Sequence, residues 1–153
     1  MEPLTMEQLG DLRQEHIGRL LLRAHRAFSE RALQQLRQRR HRRLTMVHMT
    51  LLPHIDVTGT QATAVAERAG MTKQAAGRVI ADLEHEGYVQ RLPDPDDQRA
   101  HLVVFTQAGW QFLVDAYHVL QEIEREYADL LGGERMCQLR DTLQDLLNTG
   151  HAS

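Results

Sequence analysis

Residues 60–106 read TQATAVAERAGMTKQAAGRVIADLEHEGYVQRLPDPDDQRAHLVVFT, and this stretch decides the fold. Thr60 offers an N-cap for a short helix over Gln61 to Ala69, which Gly70 closes at the position a helix C-terminus favours. Thr72 caps a second helix running to about Glu86, where Gly87 stops it. Tyr88 to Leu92 reads as a short strand. Pro93-Asp94-Pro95-Asp96-Asp97 must be a turn, because two prolines and three aspartates exclude a strand or helix interior. His101 to Phe105 returns as a second strand, so a hairpin with a long tip follows the two helices. Helix, tight turn, helix and hairpin make a winged helix-turn-helix, whose second helix presents its N-terminal residues to base edges in a DNA major groove.

The chemistry of the second helix agrees with that reading. Ala76, Val79, Ile80 and Leu83 recur at three and four and form a face to bury, while Gln74, Arg78, Ala81 and His85 follow the same spacing opposite. Gln can pair with adenine and Arg with guanine, each bidentately, at ~1–3 kcal/mol of discrimination per good pair. Lys73 stands in the first turn, where the helix dipole disfavours a cation and a bound phosphate would reverse the penalty. Gly77 inside the helix costs about 1 kcal/mol relative to Ala, which a close backbone approach would justify. In isolation this is an ordinary solvated helix face. Between a helix-turn and a hairpin it reads as a DNA-reading face.

Outward from this lobe, Leu9, Leu12, Ile17, Leu20, Ala24 and Phe28 predict one long amphipathic helix from Leu9 to Leu36, unbroken by proline. Arg37, Arg39, Arg40, Arg42 and Arg43 crowd its downstream end around His41, either to meet flanking phosphates or to solubilise the helix end. A shorter helix spans Thr45 to Leu52, with Pro53 at its end. After the hairpin, Thr106 caps a helix to about Leu131. Leu113, Leu120 and Tyr127 recur along it every seventh residue, as do Ala116, Ile123 and Leu130. Gly132-Gly133 breaks it, and a final helix carries Met136, Leu139, Leu143 and Leu146. These stripes predict pairing with a second copy of the chain, through Leu12, Leu120, Ile123, Tyr127, Met136, Leu139, Leu143 and Leu146. The fold class is therefore mainly α with a small β-wing: a winged helix-turn-helix lobe over 44–106, flanked by dimerisation helices over 1–43 and 107–153 in one compact domain.

Composition bounds the function. The chain has 153 residues, 42% hydrophobic and 25% charged, enough for one sizeable core. No apolar run approaches the ~18 residues that span a bilayer, nothing at Met1-Glu2-Pro3-Leu4 resembles an export signal, and a single cysteine fits a reducing compartment. A cytoplasmic protein without a membrane partner is expected. The net charge of −3 argues against nucleic acid at face value. By region it does not: residues 1–61 carry +4, residues 62–106 carry −2 and residues 107–153 carry −5. Seventeen of the eighteen basic residues are arginine, Lys73 being the exception. Such segregation points to an anionic partner at one end.

The motifs Ala66-Glu67-Arg68-Ala69-Gly70-Met71-Thr72-Lys73-Gln74, Leu83-Glu84-His85-Glu86-Gly87-Tyr88-Val89, Pro93-Asp94-Pro95-Asp96-Asp97-Gln98-Arg99 and Leu102-Val103-Val104-Phe105-Thr106-Gln107-Ala108-Gly109 resemble the multiple-antibiotic-resistance-regulator (MarR) family. The motifs cover residues 60–110, and the flanking helices match in layout. The resemblance implies a homodimeric transcription regulator, usually a repressor, on a pseudo-palindromic DNA operator. It implies DNA contacts from Thr72, Gln74 and Arg78, a minor-groove contact from Arg99 at the wing tip, and a wing oriented by Asp97. Lys73, Ala75 and Arg91 complete the candidate DNA-binding set. Ala75 and Ala76 have little reach, which favours readout of DNA shape or thymine methyls. The family commonly has an aspartate on the recognition helix that pairs with the wing arginine. This chain has Ala81 there, leaving Asp97 or Asp82 as partners for Arg99.

The resemblance also implies a small-molecule effector pocket where the first, second and fifth helices meet the DNA lobe, with Phe28, His48, Leu52, Trp110 and Tyr117 as candidates. Simple core packing of the same residues is the competing reading. A peroxide-sensing branch of the family uses a cysteine near its first helix, and this chain has none there; Cys137 reads as buried filler at the dimer interface. His48 and His54, six apart, fall on different helix faces without a Cys or paired carboxylate at ligand spacing, and His101 and His118 read as surface or packing residues. No metal or cofactor is expected. No nucleophile elbow, phosphate-binding loop or His-Glu-x-x-His motif is present, so no enzyme is predicted. A metal- or redox-gated regulator with the same lobe, and a winged helix used for protein contact, are the alternatives.

Overall fold

The computed structural model describes residues 5–6, 9–10 and 16–149. Leu12 lies outside them. From Ile17 onward, among the described residues, helices and short strands run in the order α1 (Ile17–Gln38), α2 (Met46–Leu51), a single 3-10 turn (Leu52–His54), β1 (Thr60–Gln61), α3 (Ala62–Arg68), α4 (Lys73–His85), β2 (Val89–Pro93), β3 (His101–Phe105), α5 (Gln107–Leu131) and α6 (Gly133–Thr149). The expected helix from Leu9 is not continuous. His16 is extended, and its ring accepts the Gly18 N–H at 3.2 Å, so α1 starts afresh there.

Local chemistry sets most of the remaining boundaries. Arg40 turns the chain out of α1 with a φ of 90°, a left-handed conformation, and Arg37 donates from Nε and Nη2 to the Leu44 carbonyl across the turn. Thr45 and His48 form a capping box at the start of α2. Thr72 and Thr106 cap α4 and α5 as their positions predict, accepting the N–H of Ala75 and of Gly109 respectively. Thr60 differs. It is no helix cap: it pairs with Val103, and Gln61 with Leu102, so β1 extends the expected hairpin to a three-stranded antiparallel sheet in the order β1-β3-β2. The Thr60 hydroxyl instead ties down Asp56, accepting its N–H at 2.8 Å. Pro93, expected in the turn, ends β2 opposite His101, on the sheet edge where a missing N–H costs no ladder bond.

The core gathers Leu36, Leu44, Leu51, Val65, Ile80, Leu83, Val89, Val103, Val119 and Ile123, drawn from α1 to α5 and the sheet. By contrast α6 buries none of its residues. One junction seats the lobe on the helices. Thr106 Oγ1 donates to the Gly87 carbonyl, and its N–H bonds the Tyr88 carbonyl at 3.1 Å. A side chain on Gly109 would stand 2.1 Å from that Tyr88 oxygen, so only glycine allows the approach. Beneath it, the buried His41 ring bonds the Tyr88 hydroxyl through Nδ1 and Asp115 through Nε2, both at 2.9 Å. Burial works against the Asp115 charge, but hydrogen bonds from His41 and Gln111 outweigh it and hold the carboxyl below its ordinary value.

Candidate nucleic-acid interface

The N-terminal half of α4 is built to face outward. Ala76, Ile80 and Leu83 anchor one side in the core, and Thr72, Lys73, Gln74, Ala75 and Arg78 are exposed on the other. Among the described residues, the side chains of Lys73, Gln74 and Arg78 have no hydrogen-bond or ion-pair partner. Gly77 has nothing within 4 Å of where a Cβ would sit, so the chain itself does not require glycine there.

Arg91 is placed differently from its expected DNA-facing role. Its backbone N–H donates to Glu84 Oε1 at 3.2 Å and its Nη2 to the Gly77 carbonyl at 3.1 Å, while Nε lies 3.8 Å from Glu84 Oε2. Both of its ends are spent fastening β2 against α4. The pattern Glu84-to-Arg91 gives no local signal, since the partners meet only once the wing folds back.

The wing tip rests on Asp94, which sequence reading missed. Asp94 is buried, its Oδ1 accepts the Asp96 N–H at 2.9 Å, and Gln61 donates to Oδ2. The Asp96 N–H, the Gln61 amide and the Asp97 N–H hold the Asp94 carboxyl below its ordinary value against the cost of burial. The bond to a backbone N–H two residues on is an Asx turn, and the Asp-Pro-Asp order of residues 94–96 was its available signal. Asp97 acts within the wing, accepting the Arg99 N–H at 3.0 Å and bonding Ala100 through its carbonyl. The Arg99 side chain is exposed and unpaired among the described residues. Asp82 does not reach it; Asp82 bonds His48.

The arginine cluster at the downstream end of α1 is largely occupied within the chain. Arg37 bonds Leu44, Arg39 pairs with Glu122, and Arg43 with Glu86 at 3.3 Å. Farther up α1, Arg31 grips Glu126 with both Nε and Nη2.

A cavity of about 440 Å³ lies between α1, α2 and α5. Phe28, Leu52 and Tyr117 line it as expected, with His25, Ser29 and Met49. His48 and Trp110 are not on its wall: His48 is turned toward α4, and Trp110 is half exposed. Of the expected pairing residues, Leu120, Leu139, Leu143 and Leu146 are exposed, and Met136 and Tyr127 are half-buried. Ile123 is wholly inside the chain's own core. Cys137 is exposed rather than buried in the single chain. Among the described residues no cluster of His, Cys, Asp and Glu could hold a metal ion, and no helix is long and apolar enough to cross a membrane.

Residues 44–100 match the model of the MarR family. Transcriptional regulator HosA of Escherichia coli O111:H- is 28% identical over 93 residues, which cover 61% of this chain and 69% of that protein. A MarR transcriptional regulator from Methanosarcina mazei Go1 shares the fold with a TM-score of 0.74 at 18% identity, over 88% of this chain and 95% of that one. The transcriptional repressor CouR, solved bound to a 23-mer DNA duplex, aligns with a TM-score of 0.66 at 25% identity, over 97% of this chain and 98% of that one.

Proposed function

We propose that the chain is a member of the MarR family, and that it is a cytoplasmic, homodimeric, non-catalytic regulator that binds a pseudo-palindromic DNA operator, acts as a repressor, and is released by a small-molecule effector. One observation carries the DNA reading. Lys73, Gln74 and Arg78 stand exposed and unpartnered at the N-terminal half of α4, while Arg91 and Asp94 consume their polar groups in holding the wing beside it and leave Arg99 projecting. Groups already satisfied position the module, and unsatisfied ones are available to bases and phosphates. CouR, bound to duplex DNA, lends support to that reading.

The dimer is supported by α6, none of whose residues is buried in the single chain and which exposes Leu139, Leu143, Leu146 and Leu147. An apolar helix face of this kind marks an interface. The effector is supported by the cavity of about 440 Å³, within the size range of small-molecule sites.

Binding to a palindromic duplex from beside the chain's own gene tests the proposal. Specific affinity should fall steeply with salt, and the protected region should show two half-sites about one helical turn apart. Equal affinity for a scrambled duplex would reject sequence-specific regulation and favour a protein-contact module. Loss of binding on chelation or on peroxide treatment would instead favour metal or redox gating.

A further inference from the structure

His48 is buried, and both of its ring nitrogens are engaged. Nδ1 lies 3.2 Å from the backbone N–H of Thr45. That N–H can only donate, so Nδ1 is the acceptor and the neutral ring carries its proton on Nε2. Nε2 is 2.6 Å from Asp82 Oδ2 on α4, to which it donates. Among the described residues this is the one side-chain hydrogen bond between α2 and α4. Asp82 is more than half exposed, so its carboxylate would be well solvated without His48. The bond therefore serves direction more than burial.

Gln74, Arg78 and Asp82 follow one another at intervals of four, on a single ridge of α4. The apolar contacts of Ile80 and Leu83 set how deep α4 sits, but apolar contact is non-directional and tolerates rotation about the helix axis. A hydrogen bond from a ring already held by a second bond does not. It pins the last residue of the ridge whose earlier members point outward.

We propose that His48 is a positioning residue for the recognition helix: its Nε2–H, oriented by the Thr45 backbone, holds Asp82 and so sets the bearing of Gln74 and Arg78 toward the bases. The inference rests on the DNA-binding reading above. Two amides separate the halves of the ring. In His48→Gln the side-chain nitrogen falls near the place of Nε2 and keeps the bond to Asp82, while in His48→Asn the oxygen falls near Nδ1 and keeps only the cap. Specific duplex affinity should stay within about threefold of wild type for His48→Gln and fall about tenfold for His48→Asn, the scale of one lost directional bond. Asp82→Ala should match that fall, and His48→Asn combined with Asp82→Ala should be no weaker than either alone. Affinity for a scrambled duplex should not change.

Amide hydrogen exchange along α4 in the free protein gives a readout independent of DNA. It should quicken in His48→Asn and Asp82→Ala and not in His48→Gln. Full specific affinity in His48→Asn, additive losses in the double variant, or unchanged exchange along α4 would each overturn the assignment. A wild-type chain that binds no duplex overturns the DNA reading instead, and the exchange comparison still decides whether His48 holds the helix. Asp82→Ala, a change at the surface, keeps the test open should His48→Asn fail to fold.

Discussion

An arginine with two intramolecular partners and an arginine with none make different offers to a duplex. Arg78 and Arg99 have nothing to give up on binding, whereas Arg91 would first have to leave Gly77 and Glu84. Arg78→Ala and Arg99→Ala should each weaken specific binding by about 5- to 150-fold, the equivalent of ~1–3 kcal/mol, with no change in the melting temperature. Fluorescence anisotropy beside thermal denaturation checks both, and unchanged affinity in the pair of variants would remove them from the interface. Gly77→Ala tests the opposite trade. Space is open at its Cβ, so Ala should stabilise the free protein by about 0.5–1 kcal/mol, seen as a higher melting temperature, while costing duplex affinity if a DNA backbone lies against that turn. At this scale the unpaired cations of α4 were legible, since helical spacing alone places Lys73, Gln74 and Arg78 off the buried face. The occupations of Arg91 and Asp82 were not, because Glu84, Gly77 and His48 reach them only across separately folded elements.

Element boundaries followed the same division. Threonine caps act over three residues, so Thr72 and Thr106 were readable from their neighbourhoods. Thr60 has the same local credentials, yet the open edge of β3 captures it forty-three positions away in Val103, and β1 is too short to leave a periodic signal. The Thr-to-Gly step that closes β3 and opens α5 was visible as a motif, but its purpose lies in contact with Tyr88. Gly109→Ala should therefore cost more than a helical glycine-to-alanine change ever could. With 2.1 Å between the new methyl carbon and a backbone oxygen, the α5 start must lift off the wing root. Loss of about 3 kcal/mol or more, within the range of overpacked cores, or a failure to fold is expected in denaturant unfolding. Stability equal to wild type would show that the junction gives way freely.

Over the whole molecule, the charge segregation acquires a partly internal explanation. The basic first third and the acidic last third meet where Arg31 grips Glu126 and Arg39 pairs with Glu122, so several of those arginines neutralise α5 rather than a ligand. Arg31, through its hydrogen bonds and charge, holds the Glu126 carboxyl below its ordinary value, as Arg68 and Thr60 do for Asp56. With Asp94 and Asp115 also lowered, each carboxylate stabilises the fold fully above its unfolded pKa near 4 and loses that contribution as pH falls through its lower folded value. Acid titration followed by circular dichroism should show constant stability down to about pH 5 and a decline below about pH 4, and Asp94→Asn should make that decline shallower. Dimerisation is tested on the same scale. Leu143→Arg with Leu146→Arg should yield monomers in analytical ultracentrifugation while the core, which contains neither residue, keeps its fold.

The contact of Tyr88, His41 and Asp115 draws one residue from each third of the chain into a single buried set. A winged helix-turn-helix followed by long helices looks like an interchangeable cassette, whose wing and recognition helix could be transplanted between helical frames. Here the graft would sever a shared polar joint: residues 44–106 moved alone carry Tyr88 away from both of its companions. A working chimera has to import His41 and Asp115, and Gly109 with them, or replace the whole joint by apolar residues of matching volume.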